Sequence, residues 1–197
     1  MAKKYYAVKN GRKTGVFTTW DECKRQVMGF KGAAYKGFET LEEAERFASG
    51  GDAADTSPRE DAVTAYVDGS YNIRTKVFSY GAVIFDNGEI TMNEAFEDEE
   101  LASMRNVAGE IKGSMAAMRY CVERGIEKLD LYYDYAGIEK WCTGEWKTNK
   151  RGTIEYKAYY DSIKDRLDVR FVKVKGHSGD KYNDMADRLA KDAAGVE

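Results

Sequence analysis

Proline, histidine and cysteine are scarce in this 197-residue chain, which contains one, one and three of them respectively. The cysteines are widely spaced and form no Cys-x-x-Cys pair, which argues against a disulfide framework or a cysteine-rich zinc site. We therefore expect reduced, packed thiols and a cytoplasmic protein. No apolar run approaches the ~20 residues of a membrane helix, and no signal-peptide pattern opens the chain, so no membrane association is expected.

Charge is divided unevenly along the chain. The whole sequence has 31 Lys and Arg against 34 Asp and Glu, a net charge of −3. Residues 1–38 nevertheless hold nine basic and two acidic residues, whereas residues 51–197 hold 21 basic and 28 acidic residues. A basic module joined to an acidic one indicates that the first supplies electrostatic attraction to a polyanion.

Residues 1–48 have the pattern of a small ββαβα module. Two short strands flank the turn signal Asn10-Gly11, and Ala33–Phe38 can form a third strand. Thr19 and Thr40 each begin a Thr-x-x-Glu capping box, so a helix is expected to start at each. The side chains expected to form the small core are apolar, and they are Val8, Val16, Phe17, Cys23, Val27, Phe38 and Phe47.

Residues 49–61 are mostly small and polar, contain the single proline, and predict a flexible linker. Residues 62–197 then show the pattern of a second, larger domain. Strands are expected at 63–68, 78–85, 89–95, 128–133 and 169–174. Helices are expected at 106–124, 135–143, 153–165 and 183–194. This order predicts an α/β (α+β mixed) fold, in which a mixed five-stranded sheet is flanked by helices.

Four acidic residues lie at the ends of predicted elements. Asp68 and Asp134 end the first and fourth strands of this domain, with Gly69-Ser70 as the turn after Asp68, while Glu110 and Asp187 lie near the starts of helices. Each could simply face water, because the chain has 34 acidic residues. If the two strands are parallel neighbours, however, the carboxylates meet at one sheet edge. Clustered carboxylates repel one another unless hard cations bind them, so we expect two Mg²⁺ ions, with Mn²⁺ as a substitute.

His177 is the single histidine of the chain and lies between two glycines in the segment Lys175–Asp180. A lone histidine is commonly structural, but packing in such a loop does not demand an imidazole. We therefore expect His177 to act as a proton shuttle or to aid product departure.

The order and spacing of these residues resemble the ribonuclease H type 1 family. The matching motifs are Asp68-Gly69-Ser70, Asn106-x3-Glu110, Tyr132-Tyr133-Asp134, Lys175-Gly176-His177-Ser178-Gly179 and Asn183-x2-Ala186-Asp187-x-Leu189-Ala190. The resemblance implies an RNase H-like catalytic domain over 62–197. It also implies that the metal-binding catalytic acids are Asp68, Glu110, Asp134 and Asp187, that His177 is the loop histidine, and that Asn106 touches the RNA strand.

Residues 4–48, within the expected 1–48 domain, resemble the hybrid-binding, viroplasmin-like domain found before eukaryotic ribonucleases H. The matching segments are Tyr5-Tyr6-Ala7-Val8-Lys9, Gly11-Arg12-x2-Gly15-Val16-Phe17, Trp20-x2-Cys23-x2-Gln26-Val27 and Tyr35-Lys36-x-Phe38. The resemblance implies that Tyr6, Trp20 and Tyr35 lie against the DNA strand and that Lys36 meets a phosphate. Exposed aromatic rings beside cations suit such a role, although some of these rings could instead belong to the core.

Together the two resemblances imply an endoribonuclease that hydrolyses the RNA strand of RNA–DNA hybrids by two-metal-ion catalysis, leaving 5′-phosphate and 3′-hydroxyl ends. The expected partner is the hybrid, with weak binding of double-stranded RNA through the amino-terminal module, and the expected state is a monomer. Two alternatives stay open at this point. One is a nuclease of the same fold that acts on DNA, such as a resolvase or exonuclease, and the other is a non-catalytic protein that binds hybrids or double-stranded RNA.

Several positions depart from the family pattern. Tyr135 follows the catalytic acid of the fourth strand where the family often has Ser or Asn, and Gly37 stands where relatives can carry a second lysine. The loop after the first strand is short, which argues against Asn72 as a nucleic-acid contact. The basic and aromatic segment Trp146–Arg151 is equally consistent with a nucleic-acid contact and with a solvated loop.

Overall fold

The structure is a computed structural model that describes residues 5–48, 58–174, 176 and 180–196. Contacts divide the chain into two compact units, with the boundary between Ser57 and Pro58. Among the described residues, no helix combines the length and apolar character needed to cross a membrane.

The first unit has the predicted ββαβα order. Its elements are β1 (Tyr5–Asn10), β2 (Gly15–Phe17), α1 (Trp20–Val27), β3 (Ala34–Phe38) and α2 (Leu41–Ala48). The three strands form an antiparallel sheet in the order β2-β1-β3. Thr19 caps α1 as its sequence predicts: its hydroxyl accepts the Glu22 backbone N–H at 3.3 Å and donates to the Glu22 carboxylate at 2.9 Å.

Each face of this small sheet buries its own apolar cluster. On one face Ala7, Phe38 and Ala44 pack with Val16 and Phe47. On the other face the cluster consists of Val8, Cys23 and Val27, packed with Tyr6 and Phe17. The apolar residues expected in the core are therefore all found there, because strand alternation sends successive β1 side chains to opposite faces.

The second unit is the predicted mixed five-stranded sheet flanked by helices. Its strands are β4 (Val63–Tyr71), β5 (Phe78–Phe85), β6 (Glu89–Phe96), β7 (Lys128–Tyr133) and β8 (Asp168–Lys173). Its helices are α3 (Glu99–Ala102), α4 (Asn106–Glu123), α5 (Gly137–Thr143), α6 (Arg151–Ile163) and α7 (Lys181–Ala194). The sheet order is β6-β5-β4-β7-β8, in which β4–β7 and β7–β8 are parallel and the other pairs are antiparallel.

Strand β4 and helices α3 and α7 differ from the sequence-based expectation. Strand β4 does not end at Asp68 but continues to Tyr71, because Gly69 and Ser70 pair with residues of β5 instead of forming a turn. The short helix α3 was not predicted. Helix α7 begins two residues earlier than expected, where Asp180 caps it by accepting two backbone N–H groups, so Asp187 lies near the middle of that helix.

Glycines allow two helices to approach the central strands closely. A Cβ at Gly109 of α4 would lie 1.9 Å from the Ser79 carbonyl oxygen, and one at Gly69 would lie 2.1 Å from the Asn106 carbonyl oxygen. On the opposite face, a Cβ at Gly81 would lie 2.1 Å from the Ala186 carbonyl oxygen of α7. Since Gly81 pairs with Asp68, α4 and α7 are both seated on the sheet at the level of that carboxylate.

The expected linker, 49–61, extends too far at its carboxyl end. Residues 49–57 lie outside the described residues, but Arg59 is firmly held in the second unit. Its guanidinium contacts the Asp130 carboxylate at 2.7 Å and the Asp168 carboxylate at 2.6 Å, and its backbone N–H donates to Asp130 at 2.8 Å. Asp130 is fully buried and also pairs with Arg170. The chain is therefore anchored to the sheet from Arg59 onwards.

Candidate metal centre and nucleic-acid interface

Three of the predicted acids converge on one point. Asp68, Glu110 and Asp134 each offer a carboxylate oxygen, and these oxygens lie within 4.8 Å of one another. Asp68 comes from the middle of β4, Glu110 from the second turn of α4, and Asp134 from the residue after β7. Segments separated by more than 20 residues of sequence thus supply one cluster.

The cluster lies where β4 and β7 part. Their parallel pairing ends at Tyr66 and Tyr132, while β4 continues beside β5. By strand alternation Asp68 shares the α7 face with Tyr66, whereas Gly69 faces α4. Carboxylates that start from opposite faces of the sheet therefore meet beyond the end of the parallel ladder. Sites at the carboxyl ends of parallel strands are typical of α/β folds.

Burial makes these negative charges unfavourable without a partner. Glu110 is 1% exposed and Asp68 is 7% exposed. Desolvation is the main cause that raises the pKa of Asp68 to about 7, and the nearby charge of Asp134 adds to it. The pKa of Glu110 is also raised well above its ordinary value, first by desolvation and then by Asp134 and Asp68. A hydrogen bond from the Tyr135 backbone N–H opposes the shift at Glu110.

The donor set fits a hard divalent cation. The Glu110 Oε2 atom is buried and has no hydrogen-bond partner among the described residues, although buried polar atoms are nearly always paired. All three groups offer oxygen, which is the ligand type that Mg²⁺ and Mn²⁺ prefer. A cation at this point would pair with Glu110 Oε2. It would also offset the repulsion between carboxylates that contributes to the raised pKa values of Asp68 and Glu110.

Asp187, the fourth predicted acid, is close to the cluster without being part of it in the structure. Its charge contributes to the raised pKa of Asp68, so the two carboxylates interact. The Asp187 carboxylate accepts from Lys191 Nζ at 2.7 Å, one helical turn along α7. Lys191 was not predicted as part of the site. Its positive charge acts in the opposite direction on Asp68 and lowers its pKa.

The other two predicted residues of the second unit are His177 and Asn106. His177 lies outside the described residues. Its neighbour Gly176 is described, and a Cβ there would lie 2.4 Å from Asp134 Oδ2, so the chain passes directly against this carboxylate. Asn106 is exposed at the first position of α4. It precedes Glu110 by one turn, which places both residues on one side of the helix.

The predicted binding residues of the first unit form an aromatic row. The ring centroids of Tyr6 and Trp20 are 5.6 Å apart, and those of Trp20 and Tyr35 are 5.7 Å apart. Trp20 and Tyr35 remain 41% and 47% exposed. Lys36 is exposed but points to the other face of β3, where its Nζ lies 5.5 Å from the Phe38 ring centroid. The aromatic row and Lys36 therefore flank the same edge strand from opposite faces.

A second aromatic group, missed by sequence reasoning, follows Asp134. The rings of Tyr135, Trp141 and Trp146 lie 5.7–6.3 Å apart, and Lys140 Nζ lies 5.6 Å from the Trp146 ring. The Tyr135 ring belongs to this group, and the Tyr135 backbone N–H donates a hydrogen bond to the Glu110 carboxylate. The group thus ties the chain after β7 to the cluster of carboxylates.

Comparisons with known proteins agree with this architecture. The family model described as Ribonuclease H1 N-terminal domain matches residues 4–48, and the family model described as RNase H matches residues 60–195. Ribonuclease H1 of Rattus norvegicus is 27% identical over 256 residues, which covers 96% of this chain and 89% of the relative.

Two solved structures share the fold of the second unit. The first is RNase H1 from Halobacterium salinarum NRC-1, with a TM-score of 0.55 and 22% identity, covering 67% of this chain and 96% of that one. The second is LC11-RNase H1 in complex with RNA/DNA hybrid, with a TM-score of 0.53 and 16% identity, covering 66% of this chain and 98% of that one. With the RNase H model spanning well over half of its residues, the chain belongs to the ribonuclease H family, and its catalytic domain is preceded by a ribonuclease H1 N-terminal domain.

Proposed function

We infer that this chain is an endoribonuclease that hydrolyses the RNA strand of RNA–DNA hybrids, using two Mg²⁺ ions and leaving 5′-phosphate and 3′-hydroxyl ends. The observation that carries the proposal is the convergence of Asp68, Glu110 and Asp134 within 4.8 Å, in a chain of the ribonuclease H family. The complex of LC11-RNase H1 with an RNA/DNA hybrid supports the choice of substrate.

The residues of the cluster have distinct tasks in this proposal. Asp68, Glu110 and Asp134 would hold the cations, and Asp187, which now pairs with Lys191, would be the fourth acid available to them. When bound, such cations activate water and stabilise the leaving oxygen of a phosphodiester. The Tyr135 backbone N–H orients the Glu110 carboxylate. His177 is proposed to move a proton at the leaving oxygen or to aid product departure, and Asn106 to contact the RNA strand.

The first unit is proposed to bind the hybrid through its aromatic row. Tyr6, Trp20 and Tyr35 present ring faces to sugars or bases of the DNA strand, and Lys36 meets a phosphate from the other side of β3. Residues 1–38 have seven more basic than acidic residues, so they supply the attraction that the acidic catalytic unit lacks. Weak binding of double-stranded RNA is proposed for the same surface. The monomeric state and the cytoplasmic location stay predictions from the sequence.

Cleavage of labelled duplexes tests this function. The full chain is incubated with an RNA–DNA hybrid, double-stranded RNA and duplex DNA, each with Mg²⁺ or with EDTA. We expect cutting of the RNA strand of the hybrid in Mg²⁺ alone, with 5′-phosphate product ends. Asp134→Asn should abolish cutting but retain hybrid binding, whereas the matched variant Asp192→Asn, exposed on α7, should cut normally. Cutting of duplex DNA, or binding of hybrid without any cutting, would favour the two alternative functions instead.

A further inference from the structure

The hairpin turn between β1 and β2 is fastened to the end of α1. The backbone N–H of Arg12 donates to the Gln26 carbonyl oxygen at 2.9 Å. The guanidinium Nη1 of Arg12 donates to the carbonyl oxygens of Arg25 at 3.0 Å and Met28 at 2.7 Å. A Cβ at Gly11 would lie 2.8 Å from the same Gln26 oxygen, so a residue without a side chain is needed for this close approach. The turn therefore packs directly against the helix end.

Arg12 caps the carboxyl end of α1 although it is distant from that end in the sequence. The last four carbonyl groups of a helix have no partner within the helix, and three hydrogen bonds from Arg12 reach this end of α1. A cation also suits the negative end of the helix dipole. Because Arg12 is basic and exposed, composition alone would suggest that it contacts a phosphate. The hydrogen bonds instead direct it to the carbonyl groups of its own protein.

Asn10 holds the far end of the loop that follows α1. Residues 28–33 connect α1 to β3, and Asn10 Nδ2 donates to the Gly32 carbonyl oxygen in this loop at 2.8 Å. Asn10 also lies opposite Ala34, the first residue of β3, in the pairing of β1 with β3. Arg12 thus holds the start of this loop, and Asn10 holds its end.

The aromatic row is carried by the three elements that these contacts join. Tyr6 lies on β1, Trp20 begins α1 and Tyr35 lies on β3. The Trp20 ring centroid lies 5.6 Å from that of Tyr6 and 5.7 Å from that of Tyr35, so the spacing of the rings depends on how α1 and β3 lie against β1. Asn10 ends β1 and Arg12 follows it by two residues, and their contacts tie α1 and β3 to that strand.

We propose that Asn10 and Arg12 are positioning residues for hybrid binding, which hold α1 and β3 so that the aromatic row keeps its spacing, and that neither side chain contacts nucleic acid. The proposal rests on the proposed function, because it assumes that the row binds the hybrid. Apparent affinity falls with the fraction of molecules whose rings are already placed for stacking. Loss of a hydrogen-bonded contact changes such a fraction by roughly two- to tenfold.

Hybrid binding at several salt concentrations separates positioning from phosphate contact. Fluorescence anisotropy in EDTA measures the affinity of the full chain, of Asn10→Ala and of Arg12→Gln. We expect both variants to bind roughly two- to tenfold more weakly, with the wild-type slope of log K against log[salt]. Arg12→Lys should also bind more weakly, because it keeps the charge but not the planar fork of donors.

The control variant is Lys13→Gln, because Lys13 is an exposed cation on the same turn. Any loss of affinity in this variant should come with a smaller salt slope, since only a charge is removed. Loss of one phosphate contact lowers the slope by about 0.9. A fall of that size in Arg12→Gln, full affinity in Arg12→Lys, or wild-type affinity in Asn10→Ala would each overturn the proposal.

Hydrogen exchange of the free chain tests the contacts without any ligand. Backbone amides of residues 28–34 should exchange roughly two- to tenfold faster in Asn10→Ala and Arg12→Gln than in the wild type and Lys13→Gln. Amides of β1 should stay protected in all four proteins, which shows that the unit is folded. Unchanged exchange at 28–34 in both variants would overturn the proposal. A wild-type chain that binds no hybrid would refute the proposed function, and exchange at 28–34 would still show whether Asn10 and Arg12 hold the loop.

Discussion

Removing one negative charge from the metal-free cluster should stabilise the protein. Asp68 has a pKa of about 7 in the folded chain, against an ordinary value of 3.8. The folded state therefore binds more protons than the unfolded state between pH 4 and pH 7, and its stability falls as the pH rises through this range. The shift of about 3 units corresponds to at most about 4 kcal/mol, because one unit is worth ~1.36 kcal/mol.

Asp68→Asn tests this magnitude with little other disturbance. The carboxylate accepts the Gly69 backbone N–H at 2.7 Å, and an amide oxygen can accept the same bond. In EDTA at pH 8 we expect the variant to be more stable than the wild type by about 2–4 kcal/mol, which raises the melting temperature of the second unit by up to ~12 °C. At pH 4 an aspartate with the ordinary pKa of 3.8 is about half protonated even in the unfolded chain. Most of the difference in stability between wild type and variant should therefore disappear at that pH.

Thermal unfolding by calorimetry, with the two units followed as separate transitions, measures the effect. Asp192→Asn is the matched control, since that carboxylate is exposed on α7 and should leave the transition unchanged. Excess Mg²⁺ should stabilise the wild type, by ~2.7 kcal/mol at a hundred times the dissociation constant, and should stabilise Asp68→Asn much less. Equal stability of wild type and variant in EDTA at pH 8 would mean that burial and repulsion do not raise the Asp68 pKa.

Three other predictions concern packing, the buried ion pair and the aromatic row. Gly109→Ala should lower the free energy of unfolding by about 3 kcal/mol and should also reduce cleavage, because the new Cβ meets backbone atoms. Gly113→Ala in the same helix is the control. Its Cβ meets only the side chain of Tyr80 at 3.0 Å, so urea unfolding should show a far smaller loss of stability. Asp130→Ala should destabilise the second unit by about 3–5 kcal/mol, since it leaves two arginines without their buried partner; a loss below 1 kcal/mol would contradict this. Trp20→Ala should weaken hybrid binding by about 1–3 kcal/mol in fluorescence anisotropy with little change in melting temperature, and unchanged affinity would remove the aromatic row from the interface.

The sequence predicts the elements whose signals are local. The apolar runs at 78–85 and 128–133 are strands with the expected bounds, and the capping box at Thr19 starts α1 as expected. The extension of β4 to Tyr71 was not predictable in this way. Gly69-Ser70 has the composition of a turn, and only its pairing with β5 overrides that preference. The four-residue helix α3 depends on a single cap, Asp98, whose carboxylate also pairs with a distant arginine, Arg151.

In the candidate site too, features with a local sequence signal were predictable, and features that depend on tertiary packing were not. Asp68, Glu110 and Asp134 could be proposed from the sequence because each is a carboxylate near the end of a predicted element, although β4 in fact continues past Asp68. The hydrogen bond from the Tyr135 backbone N–H to Glu110 depends on how α4 packs beside the end of β7, which no local pattern reveals. The ion pair of Lys191 with Asp187 is an i,i+4 pair within α7, but its effect on the pKa of Asp68 depends on where α7 packs on the sheet. Asn72 shows the limit most clearly, because its amide is satisfied by carbonyls 122 and 123 residues away.

Binding of Mn²⁺ to the free protein shows whether three carboxylates that are distant in sequence act together as cation ligands. Electron paramagnetic resonance can measure free Mn²⁺ during titration of the wild type, Glu110→Gln and Asp192→Asn. We predict saturable binding by the wild type and by Asp192→Asn, and at least a tenfold weaker affinity for Glu110→Gln, whose buried Oε2 is without a partner among the described residues. Wild-type affinity in Glu110→Gln would contradict the account.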